Sequence, residues 1–171
     1  MHPPETLARL DRAAATLRGI RPHLVEPGRS NVAEAAPRAR EPEDVAALAG
    51  GLVVAGDQIR AAGPAAYGVD PELARAVLTA IRFEPSVRAV ASLRPLAGLA
   101  RHLEAHLREV VVVDPRRTPP GASTMDWAIA HASADDVPDA VLVEGEAFLL
   151  FGGTAEEVAD EILIVSSHAS I

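Results

Sequence analysis

The chain contains no cysteine, and all 16 of its basic residues are arginine, with no lysine. The first absence excludes thiol catalysis, thiolate zinc sites and a disulfide scaffold. The second excludes Schiff-base chemistry and a P-loop lysine. Aromatic residues make up 3% of the chain (Tyr67, Phe83, Trp127, Phe148 and Phe151), too few for a base-stacking platform, so the core is expected to be aliphatic. Basic residues are outnumbered by 24 acidic ones, for a formal charge of −8, which opposes a surface that tracks nucleic-acid phosphates. No apolar run approaches the roughly 18 residues of a membrane span. The opening Met1-His2-Pro3-Pro4-Glu5 lacks the basic and apolar regions of a signal peptide. These absences together predict a cytoplasmic chain with neither a membrane nor a direct nucleic-acid partner.

What remains is 171 residues, 49% of them hydrophobic, with no internal repeat and no long linker, which predicts one domain over 1–171. Leu7, Leu10, Ala14, Leu17 and Ile20 recur at helical spacing behind Pro3-Pro4. A short strand is expected at Asn31–Ala35, and a hairpin joins 52–55 to 59–62 about Gly56-Asp57. Asp70-Pro71-Glu72 supplies an N-cap, a first-turn proline and an acid for a helix running to about Phe83. Downstream, strands at 87–93 and 110–113 alternate with helices at 96–107 and 123–132, the Val110–Val113 strand being read as fully buried. A second hairpin joins 140–143 to 147–151 about Glu144-Gly145-Glu146, and Thr154 with Glu157 forms a capping box for a last helix. Interleaved helices and strands define an α/β class, and the tight hairpins require antiparallel pairs within the sheet.

Two local patterns bear on chemistry. His102 and His106 lie four apart on one predicted helix, a spacing that can hold a metal ion. Glu does not directly follow the first His and no third ligand is apparent, so the expectation is a solvated helix face and no metal site. The loop from Arg116-Arg117 to Ser123-Thr124-Met125 follows a strand and opens a helix. It reads equally as an anion site built from guanidinium forks and helix-terminal N–H groups or as an ordinary loop capped by Ser123. Arg75, Arg82, Arg88 and Arg94 lie in or after the helix that begins at Pro71; Arg94 ends a strand and can reach a site at the sheet edge.

A series of segments taken in order resembles the ThiN-type thiamine-phosphate synthase domain: Glu26-Pro27-Gly28-Arg29-Ser30-Asn31-Val32, the stretch Asp44 to Val53, Tyr67-Gly68, Leu73 to Arg82, Glu84 to Ala89, Ser123-Thr124-Met125-Asp126-Trp127, and Ala155-Glu156-Glu157-Val158. The most specific are the Ala-Arg-x-Val-Leu-Thr-Ala-x-Arg run ending at Arg82 and Ser-Thr-Met-Asp-Trp ending at Trp127. The resemblance implies a three-layer α/β/α sandwich with a mixed, largely antiparallel sheet, similar to class II aldolase/epimerase domains. It also implies a family reaction that joins hydroxymethylpyrimidine diphosphate to thiazole phosphate. In that family the domain also occurs fused to a pyrimidine kinase or behind a helix-turn-helix in thiamine-responsive regulators.

The departures from the family pattern lower the expectation of catalysis. Its catalytic Arg and His positions correspond to Gly51 and Glu72, its Asn-Ile-Arg-Tyr becomes Ser92-Leu93-Arg94-Pro95, and a Gly-Lys-Glu-Pro segment is reduced to Glu144-Gly145-Glu146. Displacing diphosphate needs oriented cations, and these changes remove positive charge and add negative charge. The favoured expectation is a catalytically impaired sensor or regulatory relative. It would bind thiamine phosphate or a precursor through Ser30, Asn31, Gly68, Arg75, Arg94, Ser123, Thr124 and Met125. The alternatives are an active synthase in which Arg29, Arg116 or Arg117 replaces the lost cations, and a partner domain with a decayed site. No cofactor is expected apart from Mg2+ accompanying a diphosphate substrate. Restoring Gly51→Arg with Glu72→His is expected to raise any residual activity. A homodimer or a kinase supplied in trans completes the partner expectations.

Overall fold

The computed structural model describes residues 2–168 and 171. Five helices and nine strands follow in the order α1 (Pro4–Leu17), β1 (Asn31–Ala35), β2 (Val45–Leu48), β3 (Leu52–Ala55), β4 (Gln58–Ala61), β5 (Ala65–Tyr67), α2 (Pro71–Phe83), β6 (Ala89–Leu93), α3 (Ala97–Ala105), β7 (Val110–Val113), α4 (Thr124–Ala132), β8 (Ala140–Val143), β9 (Ala147–Gly152) and α5 (Ala155–Ser166). Seven strands form one sheet in the order β5-β2-β1-β6-β9-β8-β7, and β3-β4 form a separate hairpin. Within the large sheet only β7 and β8 pair in parallel. The connection between these two strands runs through α4, the crossover that a parallel pair requires. No described helix is long and apolar enough to cross a membrane.

Alternate residues of the central strands fall into separate core clusters, which is the period-2 signature of a sheet buried on both faces. Val32, Ala89, Ala91, Phe148 and Leu150 pack with Leu10 and Leu17 of α1, Leu99 and Leu103 of α3, and Val158 and Ile162 of α5. Ala33, Val90, Val141 and Leu149 pack instead with Leu73 and Val77 of α2 and Ile129 of α4. On the α2 side of the sheet the small side chains Ala33 and Ala35 of β1 and Ala47 of β2 pack in the same cluster as Leu73 and Val77.

One charge lies inside this framework. Glu34 points from β1 toward α1 and α5 with its side chain 2% exposed, while its partner Arg9 on α1 remains 30% exposed. Arg9 Nε donates to Glu34 Oε2 at 2.7 Å, and the Ala155 N–H at the start of α5 donates to Oε1 at 2.8 Å. Both carboxylate oxygens are thus satisfied, and β1 is tied to two helices. The bond to Glu34 holds the Arg9 guanidinium above its ordinary value.

Several sequence expectations need correction. β2 and β5 were not expected. Their residues, Val-Ala-Ala-Leu and Ala-Ala-Tyr, are short and rich in alanine, a poor strand former; β2 is placed by β1 and β5 on either side, and β5 by β2 at the sheet edge. The strand Val110–Val113 is not fully buried but forms the sheet edge, with Val112 49% exposed; four consecutive valines read alike in either place. The capping box at α5 is half made. Thr154 accepts from the Glu157 N–H, but Glu157 Oε2 accepts from the Gly153 N–H rather than from that of Thr154.

Removing the buried carboxylate leaves the Ala155 N–H without an acceptor and Arg9 partly buried without a counter-charge. Glu34→Ala is therefore expected to lower unfolding free energy by about 3 kcal/mol, with Glu34→Gln costing less because its carbonyl still accepts. Urea titration checks this, and a change below about 1 kcal/mol for the alanine variant would refute the structural role given to this pair.

Candidate ligand-binding site

Asn31 begins β1 and is buried. Its Nδ2 donates to the Leu48 carbonyl at 3.0 Å and to Asp70 Oδ2 at 2.9 Å. Its Oδ1 accepts from the N–H groups of Val32 at 2.8 Å and Leu48 at 3.2 Å. The amide has two donors and two lone pairs, and all four are used. Asp70 in turn accepts from the Leu73 N–H through Oδ1 at 3.0 Å, capping α2. This one side chain therefore fixes the end of β2 and, through Asp70, the start of α2.

The pocket beside this network is lined by Glu26, Arg29, Ser30, Asp70, Glu72 and Glu146 around an apolar floor that includes Leu73, Leu93, Met125 and Leu149. Ser30 closes the loop before β1: its hydroxyl accepts from the Glu26 N–H at 2.9 Å, and its own N–H donates to the Glu26 carbonyl at 2.9 Å. Arg29 is paired with Glu26 through Nη1 at 3.0 Å. A groove adjoins the pocket and shares Glu72, Met125 and Glu146 with it, adding Arg75, Ser123, Thr124 and Asp126. Ser123 caps α4 by accepting from the Asp126 N–H, and Thr79 of α2 donates to Asp126 Oδ1 at 3.2 Å. The starts of α2 and α4 thus face one cleft.

Its charge is unbalanced. Four carboxylates line the pocket against Arg29, and the groove adds Arg75 and one further acid. Asp70 and Glu26 are committed to Asn31 and Arg29, whereas the exposed side chains of Glu72 and Glu146 have no hydrogen-bond or ion-pair partner among the described residues. Those two carboxylates stand where pocket and groove meet.

The structure brings together Ser30, Arg75, Ser123, Thr124 and Met125 of the expected ligand set and separates the others. Asn31 borders the pocket, but its amide is spent within the protein. Gly68 lies outside the lining residues, in a turn with φ +74° whose N–H donates to the Val45 carbonyl. The Arg94 guanidinium donates to the carbonyls of His23 at 3.0 Å and Val25 at 2.9 Å, so it clamps the 23–25 segment and does not line the cleft. Arg116 forks onto Asp114, which holds that carboxyl below its ordinary range, and neither Arg116 nor Arg117 lines the cleft. Gly51 adopts φ +76°, and a Cβ there would stand 2.7 Å from the Ser30 carbonyl oxygen, so an arginine cannot simply be restored on this backbone. Sequence reasoning missed Glu26, Asp70 and Glu146 as lining residues. Only the acidic Glu144-Gly145-Glu146 turn offered a signal, and it was read as the loss of a loop.

The profile of Thiamine-phosphate synthase ThiN matches residues 9–164. The chain belongs to the ThiN family. A 121-residue stretch is 32% identical to the bifunctional thiamine biosynthesis protein ThiDN of Methanocaldococcus jannaschii, covering 68% of this chain and 28% of that much longer protein. Among solved structures, the C-terminal domain of protein MJ0236 is similar at TM-score 0.87 and 26% identity over 96% of both chains. The C-terminal domain of a phosphomethylpyrimidine kinase is similar at TM-score 0.84 and 27% identity, covering 94% of this chain and 98% of that one. An aldolase II superfamily protein from Pseudomonas syringae shares the fold at TM-score 0.57 and 14% identity, over 97% of this ThiN chain and 74% of the other.

These placements change what substitutions should do. Gly51→Ala is expected to destabilise the ThiN domain by about 1–3 kcal/mol, since it combines left-handed backbone with a close approach to a carbonyl. Arg94→Ala should also reduce stability, while leaving the preference for phosphorylated over unphosphorylated ligand unchanged. Thermal denaturation and calorimetry of the same variants check both. A selective loss of phosphate preference in Arg94→Ala would return that arginine to the ligand site.

Proposed function

We propose that this ThiN domain binds thiamine phosphate, or a phosphorylated pyrimidine or thiazole precursor, as a catalytically impaired sensor or regulatory relative of the synthases. The observation that carries this reading is the charge of the cleft: Glu72 and Glu146 at its centre have no partner among the described residues, and Arg75 with the start of α4 lies at one end. A departing diphosphate would develop negative charge beside carboxylates, which raises the barrier to the family's reaction. A ligand with a cationic heterocycle and a phosphate fits better. Its ring sits against the carboxylates, and its phosphate meets Arg75 and the N–H groups of α4. The domain belongs to thiamine metabolism. The two separated core clusters support the three-layer α/β/α arrangement of the family. The bifunctional relative supports a kinase supplied in trans as the partner.

An active synthase is the second reading, and one observation favours it. Glu72 and Glu146 offer the hard oxygen donors that Mg2+ takes, so these residues fit the ion that would accompany a diphosphate substrate. Bound there, Mg2+ would neutralise charge on the diphosphate, and Arg75 would orient the second phosphate.

Calorimetric titration distinguishes the two. Thiamine phosphate is expected to bind without Mg2+ and inorganic diphosphate not to bind. Glu72→Gln with Glu146→Gln should weaken thiamine phosphate by about fivefold, from loss of roughly 1 kcal/mol of attraction in a partly solvated site. Diphosphate binding that requires Mg2+ and disappears in the double variant would favour the synthase.

A further inference from the structure

A second cluster of chemistry-bearing side chains lies away from this cleft. His102 in the last turn of α3, His106 at its C-cap and His168 just beyond α5 each present one ring nitrogen, and these three nitrogens lie within 4.8 Å of one another. The rings of His102 and His106 are 4.2 Å apart between centroids, and those of His102 and His168 are 4.3 Å apart. The cluster opens into a pocket that shares no lining residue with the ligand cleft. The two sites sit at opposite ends of β9: Ala147 lines the cleft, and Phe151 and Gly152 line the pocket of histidines.

We propose that His102, His106 and His168 form a binding site for a divalent transition-metal ion of the zinc type. Three imidazoles with a remaining open position are a donor set that such an ion accepts, with water as the fourth ligand. The spacing of His102 and His106 puts both on one helix face, and the packing of α5 against α3 delivers the third ligand from a remote part of the sequence. One ring is already oriented. His106 Nδ1 lies 2.8 Å from the His102 carbonyl oxygen, to which it donates, leaving Nε2 with its lone pair for a cation. The backbone electrostatics favour positive charge here as well, because α3 and α5 both end at the cluster and direct their C-terminal carbonyl ends toward it. Asp139, Glu157, Asp160 and Glu161 line the same pocket against Arg108, so the surroundings are net negative. A bound ion would fasten the segment after α5 to α3, joining the C-terminal part of the chain to the helix before β7.

The proposal does not depend on the thiamine reading, because no residue is shared. Purified, chelator-treated protein titrated with Zn2+ by calorimetry is expected to bind one ion, with a rise in melting temperature. Co2+ is expected to give the intense visible absorption of a four-coordinate site. His106→Ala and His168→Ala should each weaken Zn2+ by at least about tenfold, as even loss of an outer hydrogen-bond partner does, and the pair together should abolish saturable binding. Glu72→Gln with Glu146→Gln should leave Zn2+ affinity unchanged. Absence of saturable 1:1 binding, or binding that survives the double histidine variant, would overturn the assignment. Circular dichroism and unaltered thiamine phosphate binding by the histidine variants would show that a loss of zinc is not a loss of fold.

Discussion

The fully satisfied amide of Asn31 is the constraint on which the ligand cleft depends. At the start of β1 this one group accepts from and donates to the backbone at Leu48 while also holding Asp70. Asp70 then caps α2. A buried amide with any of these partners missing would carry the cost of an unsatisfied polar group, about 1–3 kcal/mol each. The geometry is therefore coupled: one amide joins the end of β2 to the first turn of α2. The carboxylate of Glu72 owes its position to that first turn, and the wall of the cleft owes its shape to the loop closed by Ser30.

On the opposite face of β1, Glu34 plays a comparable part for α1 and α5. The strand thus presents an amide to one side and a carboxylate to the other, both engaged by backbone N–H groups. The difference lies in what remains free nearby. Around Glu34 the acceptors are consumed, whereas beside Asn31 two carboxylates in an open cleft have no partner among the described residues. That unbalanced negative charge, in a family whose reaction releases a polyanion, is the basis for reading the domain as a binder of a cationic, phosphorylated ligand.

Much of this was legible in the amino-acid sequence, and what escaped did so for physical reasons. The strand at Asn31–Ala35, the two hairpins and the Asp70 cap follow local rules of turn chemistry and capping, and the structure has each of them. β2 and β5 escaped because alanine-rich triplets and quartets become strands only through tertiary pairing. Arg94 has the right charge near the right strand end, but the identity of its partners, two carbonyls in the 23–25 segment, is decided by how the chain returns past it. His168 could not be joined to His102 and His106 by spacing, since only the packing of α5 on α3 brings it there. The family membership was readable because it rests on an ordered string of segments rather than on any one residue's surroundings.

The most direct test of the central claim is the rate at which this domain forms thiamine phosphate from hydroxymethylpyrimidine diphosphate and thiazole phosphate with Mg2+ present. The account predicts that product formation is barely above the uncatalysed background even at substrate concentrations where binding is saturated. Turnover at an ordinary enzymatic rate, about 1 per second or faster, would show that the carboxylates of the cleft serve catalysis and would contradict the account.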